Sequence, residues 1–357
     1  MIQTFSSTIR RKEMDAVLTC MVDEKTGPGE LNSRFVQGIK EFFGCDGAVA
    51  FRSPSIALSY ILKALDLEKN TGIMVSALAP YWQLCAIENL GYKPVILDVR
   101  EETGLIDCQI VQQGIACGGR LLILHESMGI LPEIEKICAL GIPVIEDVSQ
   151  SVGATVEKIS DDENVSEVNS KNKKNRAGTF GIFSIMGLEE FDTVTGGGGA
   201  VVIAPQRRDW IVLKKYTDCA PSTDILPDIN SALALVQLKE FNRNENLRKI
   251  IYASYVQALR SGKNRTFNRG TGEFSTVWSF PVVLSGAFKD VKQYAAKKGV
   301  EIKAAYEDSI ISHLDGEKYA EYKTARSLSL RTALFPLYPR LGSQSAEKIA
   351  RILGTLP

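Results

Sequence analysis

The chain alternates short runs of β-branched and other apolar residues with longer segments in which apolar residues recur at helical spacing. In such a pattern the short runs indicate strands and the periodic segments indicate helices. Seven runs predict strands, namely Ala48–Phe51, Gly72–Val75, Pro94–Asp98, Arg120–His125, Pro143–Asp147, Phe180–Ser184 and Gly199–Ile203. Helical segments separate the first five, which predicts an α/β fold with a mostly parallel sheet. Because ligands bind at the carboxyl ends of such strands, the residues after each run are candidates for a site.

A second unit is predicted after the sheet. From Ile229 an apolar helical pattern runs past position 250 and indicates a long connecting helix. A strand-like run at 279–284, an amphipathic helix at 287–298 and a closing strand and helix follow. We therefore predict a large domain over 1–245 and a smaller C-terminal α/β domain over 246–357. The polar stretch 158–176 has no periodicity, so it predicts a long surface loop.

Composition narrows the class of protein. The 357 residues are 45% hydrophobic, enough for a substantial core, and 42 basic residues balance 42 acidic ones. Zero net charge gives no overall attraction to nucleic acid or to an anionic membrane. No run has the length of a membrane span, and the start lacks the apolar stretch of a signal peptide, so we expect a cytoplasmic protein. The seven cysteines are scattered singly, and we expect them to be reduced and mostly buried.

Three segments carry a family resemblance. The stretches VIEDVSQSVGA (144–154), GTFGIFS (178–184) and TGGGGAVVI (195–203) resemble the DegT/StrS family of sugar aminotransferases. Similar stretches elsewhere extend the resemblance over nearly the whole chain. It implies the aspartate-aminotransferase-like fold (fold type I), with a seven-stranded sheet in the large domain, and a homodimer with active sites at the subunit interface. It also implies pyridoxal phosphate or pyridoxamine phosphate as cofactor and a nucleotide-sugar ligand.

The resemblance assigns cofactor positions residue by residue. It makes Asp147 the carboxylate that faces the pyridine nitrogen, places Gln150 near the ring hydroxyl, and gives Ser184 to the phosphate. Without the family, Asp147 caps a turn, Gln150 is an exposed loop residue, and Ser184 is an ordinary strand-end serine. His125 ends a strand where the family also carries histidine, and it is either a site residue or a structural imidazole. With His313 as the second of two histidines, no multi-histidine metal site is expected.

The family's catalytic lysine has no counterpart in this sequence. That lysine follows the phosphate serine by about five residues, which places Glu189 at its position. The segment 185–199 contains no lysine, and the nearest ones, Lys174 and Lys214, lie in the polar loop and beyond the next strand. A carboxylate cannot form an imine. If Glu189 is catalytic, it acts as a proton-transferring base, and burial would have to raise its pKa.

The family's phosphate-binding turn is altered as well. The family has Ser-Gly-Thr at a helix start, where backbone N–H groups bind the anion. This chain has Ser53, Pro54 and Ser55 there, and proline has no N–H to donate. Read alone, Ser53-Pro54 is a helix N-cap followed by proline at the first helical position. Tyr81 and Trp82 are the candidates to stack on the cofactor ring, with core packing as the alternative.

Three functions remain open from the sequence. The first is a divergent family member that keeps the fold as a binding, regulatory or scaffold protein. The second is an enzyme of sugar-nucleotide or cell-surface polysaccharide biosynthesis, an aminotransferase or dehydratase, that holds its cofactor noncovalently. The third is an ordinary aminotransferase whose lysine lies elsewhere. A changed stretch at 220–230, where the family contributes to the neighbouring subunit's site, accompanies the other two departures and favours the first.

Overall fold

The computed structural model of the chain describes residues 1–156, 175–269 and 273–357. The helices are α1 (Arg11–Val22), α2 (Glu30–Phe43), α3 (Pro54–Leu65), α4 (Tyr81–Asn89), α5 (Cys108–Ala116), α6 (Ile134–Cys138), α7 (Arg207–Thr217), α8 (Asp228–Lys239), α9 (Phe241–Leu259), α10 (Phe288–Lys297), α11 (Gly316–Glu321), α12 (Lys323–Arg331) and α13 (Ser343–Leu353). The strands are β1 (Gly47–Phe51), β2 (Gly72–Ser76), β3 (Lys93–Leu97), β4 (Gly119–His125), β5 (Val144–Asp147), β6 (Thr155–Val156), β7 (Asn175–Arg176), β8 (Phe183–Gly187), β9 (Ala200–Ala204), β10 (Glu273–Phe274), β11 (Phe280–Val283), β12 (Lys303–Ala304) and β13 (Thr332–Phe335).

The largest sheet in the described residues has seven strands. Its strand order is β1-β9-β8-β5-β4-β2-β3. The pairs on either side of β9 are antiparallel and the other four are parallel, which confirms the predicted mostly parallel sheet. In the register, His125 lies opposite Asp147, and Asp147 lies opposite Ile185. The carboxyl ends of β4, β5 and β8 therefore lie side by side, and the residues that end or follow them meet at one edge.

The strand predicted at Phe180–Ser184 begins three residues later than expected. Three backbone N–H groups of the turn at 178–181 donate to the buried Glu146 carboxylate, at 2.7, 2.8 and 2.7 Å. Those donors are not available to a sheet ladder, so β8 begins only at Phe183. The Glu146 side chain thus fixes where the strand that leads to position 189 starts.

Apolar side chains cover both faces of the sheet. One core packs α3 and α4 against Phe183 and Ile185, and another packs α2 and α8 against Met186. Side chains alternate between faces along a strand, so Ser184 points to the same face as Met186. This burial on both faces explains the nearly continuous apolar runs of the strands.

The predicted connecting helix is two helices. Glu240, whose backbone is not helical (φ −88°, ψ 2°), separates α8 from α9, and α9 packs on the three-stranded sheet β11-β13-β12 through Tyr255 and Leu259. Because α9 runs without a break through position 245, the helix itself does not mark a division there. The division at 245 stays a prediction.

Two further expectations meet the structure only in part. Of the predicted loop 158–176, residues 158–174 lie outside the described part, while Asn175–Arg176 forms β7 and pairs with β6. The seven cysteines are free, but only Cys20 and Cys45 are buried, so the expectation that most would be buried is wrong. Three are half-buried, and Cys117 and Cys219 are exposed, because they lie at helix ends or in loops. In the described ranges, no helix is long and apolar enough to cross a membrane.

Candidate functional site

A cavity of about 320 Å³ opens where β4, β5 and β8 end. Residues that end or follow these strands form its floor. One wall comes from the segment 303–309, which begins with β12 of the three-stranded sheet β11-β13-β12, and Phe5 adds to the rim. The cavity therefore lies at the edge that the parallel topology predicts for a ligand.

Asp147 lies at the centre of the cavity floor. The side chain is 1% exposed and both carboxylate oxygens are used. Oδ2 lies 2.8 Å from His125 Nδ1 and accepts a hydrogen bond from Gln83 Nε2 at 2.7 Å. Oδ1 accepts from the Ser149 hydroxyl at 2.6 Å and from its backbone N–H at 3.2 Å. Asp147 therefore does more than cap a turn, because its carboxylate connects the end of β5 to β4 and to α4.

Asp147 stays ionised in this environment. Burial by itself would raise the pKa of Asp147, but the neighbouring His125 and the two Ser149 hydrogen bonds outweigh that effect. They hold the pKa of this carboxyl below its ordinary value. The cavity floor therefore carries a fixed negative charge paired with a buried imidazole.

Ser149 also ties β5 to the end of β8. Its hydroxyl oxygen accepts a hydrogen bond from the Gly187 N–H at 2.9 Å. A Cβ at Gly187 would lie 2.8 Å from that oxygen and 2.4 Å from Asp192 Oδ2. Only glycine permits this close approach, so the β8 turn depends on it.

Glu189 and Asp192 form an acidic turn after β8. Glu189 is exposed and lines the cavity, and its backbone N–H donates to Asp192 Oδ2 at 2.8 Å. Burial, together with the nearby charges of Asp147 and Glu189, raises the pKa of Asp192 to about 7. Asp192 is therefore a better candidate than Glu189 for a proton-transferring group, and no local pattern in the sequence pointed to it.

A second pair of carboxyls lies beneath the site. Glu126 and Glu146 are both fully buried. Glu126 Oε2 accepts a very short hydrogen bond from the Ser151 hydroxyl, and Oε1 accepts none from the described residues. Burial and then the charge of Glu146 raise the pKa of Glu126 well above its ordinary value. Hydrogen bonding to Glu146 acts in the same direction, so the proton of this pair stays on Glu126.

Replacing Glu126 by glutamine is expected to stabilise the protein increasingly as pH rises. The pKa of Glu126 in the folded protein exceeds its ordinary value of 4.5. The stability that Glu126 contributes to the fold is therefore fully present below pH 4.5 and is lost as pH rises through the folded-state pKa. Glutamine cannot ionise and still donates to Glu146, so the variant does not lose this stability. The loss that it avoids is about 1.4 kcal/mol for each unit by which the folded-state pKa exceeds the unfolded-state pKa. Urea unfolding from acid to alkaline pH measures it, with exposed Glu135→Gln as control. Parallel pH profiles of wild type and variant would contradict the interpretation.

The start of α3 matches the reading of Ser53 as a helix cap. The Ser53 hydroxyl accepts from the Ile56 N–H at 3.2 Å, and Pro54 occupies the first helical position. Pro54 lines the cavity, whereas Ser53 and the exposed Ser55 do not. The helix end that faces the cavity therefore presents a proline ring where the family has N–H donors.

The structure separates the two aromatic candidates. Trp82 lines the cavity. Tyr81 turns away and stacks on His313, with ring centroids 3.9 Å apart and planes at 8°. Consecutive residues at a helix start point in different directions, so only one of the pair reaches the cavity.

Of the two remaining cofactor candidates, one lines the cavity and the other does not. Gln150 lines the cavity, and its side-chain oxygen accepts from the Met128 N–H at 2.8 Å. Ser184 is fully buried and donates to the Gly178 carbonyl at 2.9 Å, on the sheet face that packs against α2 and α8. The structure thus does not bring Ser184 into the cavity.

A lysine from the three-stranded sheet β11-β13-β12 lines the cavity. Lys303 of β12 places its ammonium 5.3 Å from the centroid of the Phe191 ring. Phe5 stacks on the same ring at 4.8 Å, and Trp278 Nε1 donates to the Phe191 carbonyl at 2.6 Å. Lys214 lies on α7, 3.9 Å from Asp218, and does not line the cavity. No local sequence signal connects Lys303 to position 189, because tertiary folding alone brings them together.

The ionisable residues that line the cavity are mostly acidic. Five of them are carboxylates, namely Asp147, Glu189, Asp192, Glu307 and Asp308. Within the described ranges, two lining residues can carry positive charge, His125 and Lys303. The described residues contain no group of three or more histidine, cysteine or acidic side chains placed to hold a metal ion. The site therefore suits hydrogen bonding, proton transfer at Asp192 and attraction of positive charge.

Comparison with known proteins adds independent evidence. Residues 7–354 match the sequence model of the DegT/DnrJ/EryC1/StrS aminotransferase family. Among solved structures, the putative sugar aminotransferase Spr1654 from Streptococcus pneumoniae, in its PMP form, is 16% identical with a TM-score of 0.83, over 97% of this chain and 95% of that one. The aminotransferase TlmJ from Streptoalloteichus hindustanus is 17% identical with a TM-score of 0.84, over 99% and 98%.

A third similar structure is Helicobacter pylori PseC, an aminotransferase involved in the biosynthesis of pseudoaminic acid. It is 16% identical with a TM-score of 0.80, over 97% of this chain and 96% of that one. At these identities the structures establish the fold, which confirms the predicted fold type. The family match covers nearly the whole length of the sequence. The chain belongs to the DegT/DnrJ/EryC1/StrS aminotransferase family.

Proposed function

We propose that this family member binds a small ligand at the carboxyl end of its sheet and does not catalyse ordinary, lysine-dependent transamination. The observation that carries the proposal is Glu189, a carboxylate exposed to the cavity just after β8, at the position that the family resemblance gives to the lysine. A carboxylate cannot form an imine with an aldehyde.

The residues present do not fit a lysine-bound pyridoxal phosphate. At the α3 start, Pro54 has no N–H, and the Ile56 N–H is already bonded to Ser53, so the helix offers little to a phosphate. The carboxylates that line the cavity repel a dianion. Asp147 lines the cavity, as contact with a pyridine nitrogen would require, but its oxygens already have four hydrogen-bond contacts. These observations support a ligand other than that covalent cofactor.

A noncovalent cofactor enzyme is the second candidate. Asp147, Gln150 and His125 all line the cavity, as a bound pyridoxal or pyridoxamine phosphate would require. Asp192, with a pKa of about 7, supplies a group that can take and return a proton near neutral pH. Homodimerisation, which the resemblance implies, is compatible with both candidates and is proposed with them. The nucleotide-sugar ligand that the resemblance also implies is proposed with the second candidate alone, because the cavity's carboxylates repel its diphosphate.

Addition of pyridoxal phosphate is expected to give no aldimine absorbance band and no peptide labelled after borohydride reduction. The described cavity has one lysine, Lys303, which lies on β12 with its ammonium 5.3 Å from the centroid of the Phe191 ring, and not at position 189. Absorbance titration and peptide mass mapping measure the outcome, with Lys303→Met and the exposed Lys297→Met as matched variants.

The outcomes separate the candidates. A cofactor-labelled lysine would contradict the proposal, and loss of the label in Lys303→Met but not Lys297→Met would identify the amine as Lys303. Tight binding without a label would favour the noncovalent enzyme. In that case, Glu189→Gln and Asp192→Asn would show which carboxyl moves the proton, through loss of turnover with cofactor binding retained.

A further inference from the structure

We infer that a small polar chamber beside the cavity holds ordered water and connects the Asp192 carboxyl to solvent, as a route for its proton. The chamber is lined by polar side chains that include Asp192, Thr193, Asn244 and Arg248. It would hold water whatever ligand the larger cavity binds, so the water site is independent of the proposed function.

Asp192 is the polar link between the two compartments. Four residues line both the cavity and the chamber, namely Phe5, Phe191, Asp192 and Trp278. Three of these are aromatic, and the indole N–H of Trp278 already donates to the Phe191 carbonyl at 2.6 Å. Among the described residues, Asp192 is therefore the one ionisable side chain in the shared wall, and it is half-buried there.

The chamber has the size of a water site. Its volume is about 40 Å³, against about 320 Å³ for the cavity. A buried water needs on the order of 10–15 Å³ of such volume, so the chamber has room for a few water molecules and is too small for an organic ligand. The exposed residues Ser6 and Glu190 also line the chamber, which shows that it reaches the protein surface.

Two buried side chains in the chamber lack a hydrogen-bond partner. Thr193 is 7% exposed and Asn244 is 5% exposed. Neither Thr193 Oγ1 nor Asn244 Oδ1 has a partner in the part of the chain that the structure describes. A buried polar atom without a partner is costly, and ordered water is its usual partner where protein groups are out of reach. The two oxygens therefore indicate an occupant that donates hydrogen bonds and fits the chamber.

The charges around the chamber favour a neutral occupant. Two acidic residues, Glu190 and Asp192, and one basic residue, Arg248, line it. Arg248 is 7% exposed and donates from Nε and Nη2 to Glu245, at 3.2 and 3.1 Å. A cation would meet the guanidinium and an anion would meet the carboxylates, whereas water can bond either kind of group.

The Asp192 carboxyl has one oxygen available to this water. Its Oδ2 accepts from the Glu189 N–H at 2.8 Å, while Oδ1 has no hydrogen bond to any of the described residues. Burial and then the charges of Asp147 and Glu189 raise the pKa of Asp192 to about 7, so it gains and loses a proton near neutral pH. The other charged or titratable groups that line the two compartments are His125, Glu190, Arg248, Lys303, Glu307 and Asp308.

The water gives this proton a path that a ligand in the cavity does not block. When Asp192 ionises, the O–H bond of its carboxyl breaks and a chamber water takes the proton, while that water passes one of its own protons to solvent. The products are one carboxylate and one solvated proton, and the reverse transfer restores the acid. Thr193 and Asn244 are positioning residues, because they hold the water and do not themselves exchange the proton.

A high-resolution crystal structure of the full chain tests for the water directly. We expect at least one water molecule within about 3.2 Å of Thr193 Oγ1 or Asn244 Oδ1. A dry chamber, or one closed by a shifted side chain, would overturn the inference.

Titration of Asp192 tests the link between the water and this carboxyl. The ¹³C carboxyl shift of labelled aspartate follows ionisation in the full chain, and the Asp192→Asn variant assigns the signal. Thr193→Val and Asn244→Leu remove the partners of the water with little change of volume. Each is expected to raise the pKa of Asp192 by about half a unit to one unit, because the carboxylate loses hydration. Thr193→Ser keeps the hydroxyl and should titrate like the wild type.

Thr332→Val is the matched control for these variants. Thr332 is fully buried and its hydroxyl also lacks a partner among the described residues, but it lines neither compartment. This variant should leave the pKa of Asp192 unchanged, and circular dichroism would verify that each variant is folded. A wild-type pKa of Asp192 in both Thr193→Val and Asn244→Leu, or an equal shift in Thr332→Val, would overturn the inference. If one variant does not fold, the other variant and the crystal structure decide.

Discussion

An alanine at position 147 is expected to lower the free energy of unfolding by about 3–5 kcal/mol. Removal of the carboxylate leaves His125, Gln83 and Ser149 without their partner in a floor where His125 and Asp147 are only 3% and 1% exposed. Buried polar groups that lose their partner keep the full cost of desolvation. Urea unfolding at neutral pH, followed by circular dichroism, measures the change.

The matched variants separate charge from shape. Asp147→Asn keeps the volume and one acceptor for Ser149, but turns an amide donor toward Gln83 or His125, so an intermediate loss is expected. Asp46→Ala, the same change at an exposed position, should alter stability by less than about 0.5 kcal/mol. A loss below about 1 kcal/mol in Asp147→Ala would show that the network does not hold the floor together.

Glu146→Ala is expected to be as destabilising, by about 3–5 kcal/mol, and to loosen the path to position 189. The carboxylate accepts three N–H groups from the turn at 178–181, and alanine would leave these donors unpaired in a buried site. Because that turn fixes where β8 begins, its amide hydrogens should lose protection together. Denaturant unfolding and amide hydrogen exchange of 178–187 measure both effects.

The exposed helix residue Glu135 supplies the control for that change. Glu135→Ala removes the same side chain without a buried partner, and a change below about 0.5 kcal/mol is expected. Glu146→Gln keeps one oxygen that can accept from two of the three N–H donors, but it turns its own amide N–H groups toward the third donor. We therefore expect a smaller loss of stability than in Glu146→Ala. If Glu146→Ala unfolded like wild type and exchange at 178–187 stayed slow, the turn would be held by other contacts.

The architecture of the sheet was predictable because hydrophobic periodicity is a local property. Strands β1 to β5 were placed within a residue or two by runs of apolar residues that a sheet buried on both faces requires. Strand β8 was misplaced because its start depends on Glu146, which lies more than 30 residues before the turn it binds. Periodicity carries no information about such a partner.

The site was predictable where its residues end or follow strands. His125, Asp147, Gln150 and Glu189 all line the cavity, since parallel topology brings strand ends to one edge. Ser184, which the family resemblance assigned to the phosphate, does not, because the alternation of side chains along β8 turns it to the face that packs against α2 and α8.

What the sequence determined by itself is the family fold, the capped start of α3 at Ser53, and a carboxylate instead of a lysine at position 189. What only the tertiary structure decided is the chemistry around that carboxylate. Gln83 bonds Asp147 across 64 residues of sequence, and Lys303 comes from β12, more than 100 residues after position 189. Burial and charge at a site depend on neighbours in space, which propensity and spacing along the chain do not encode.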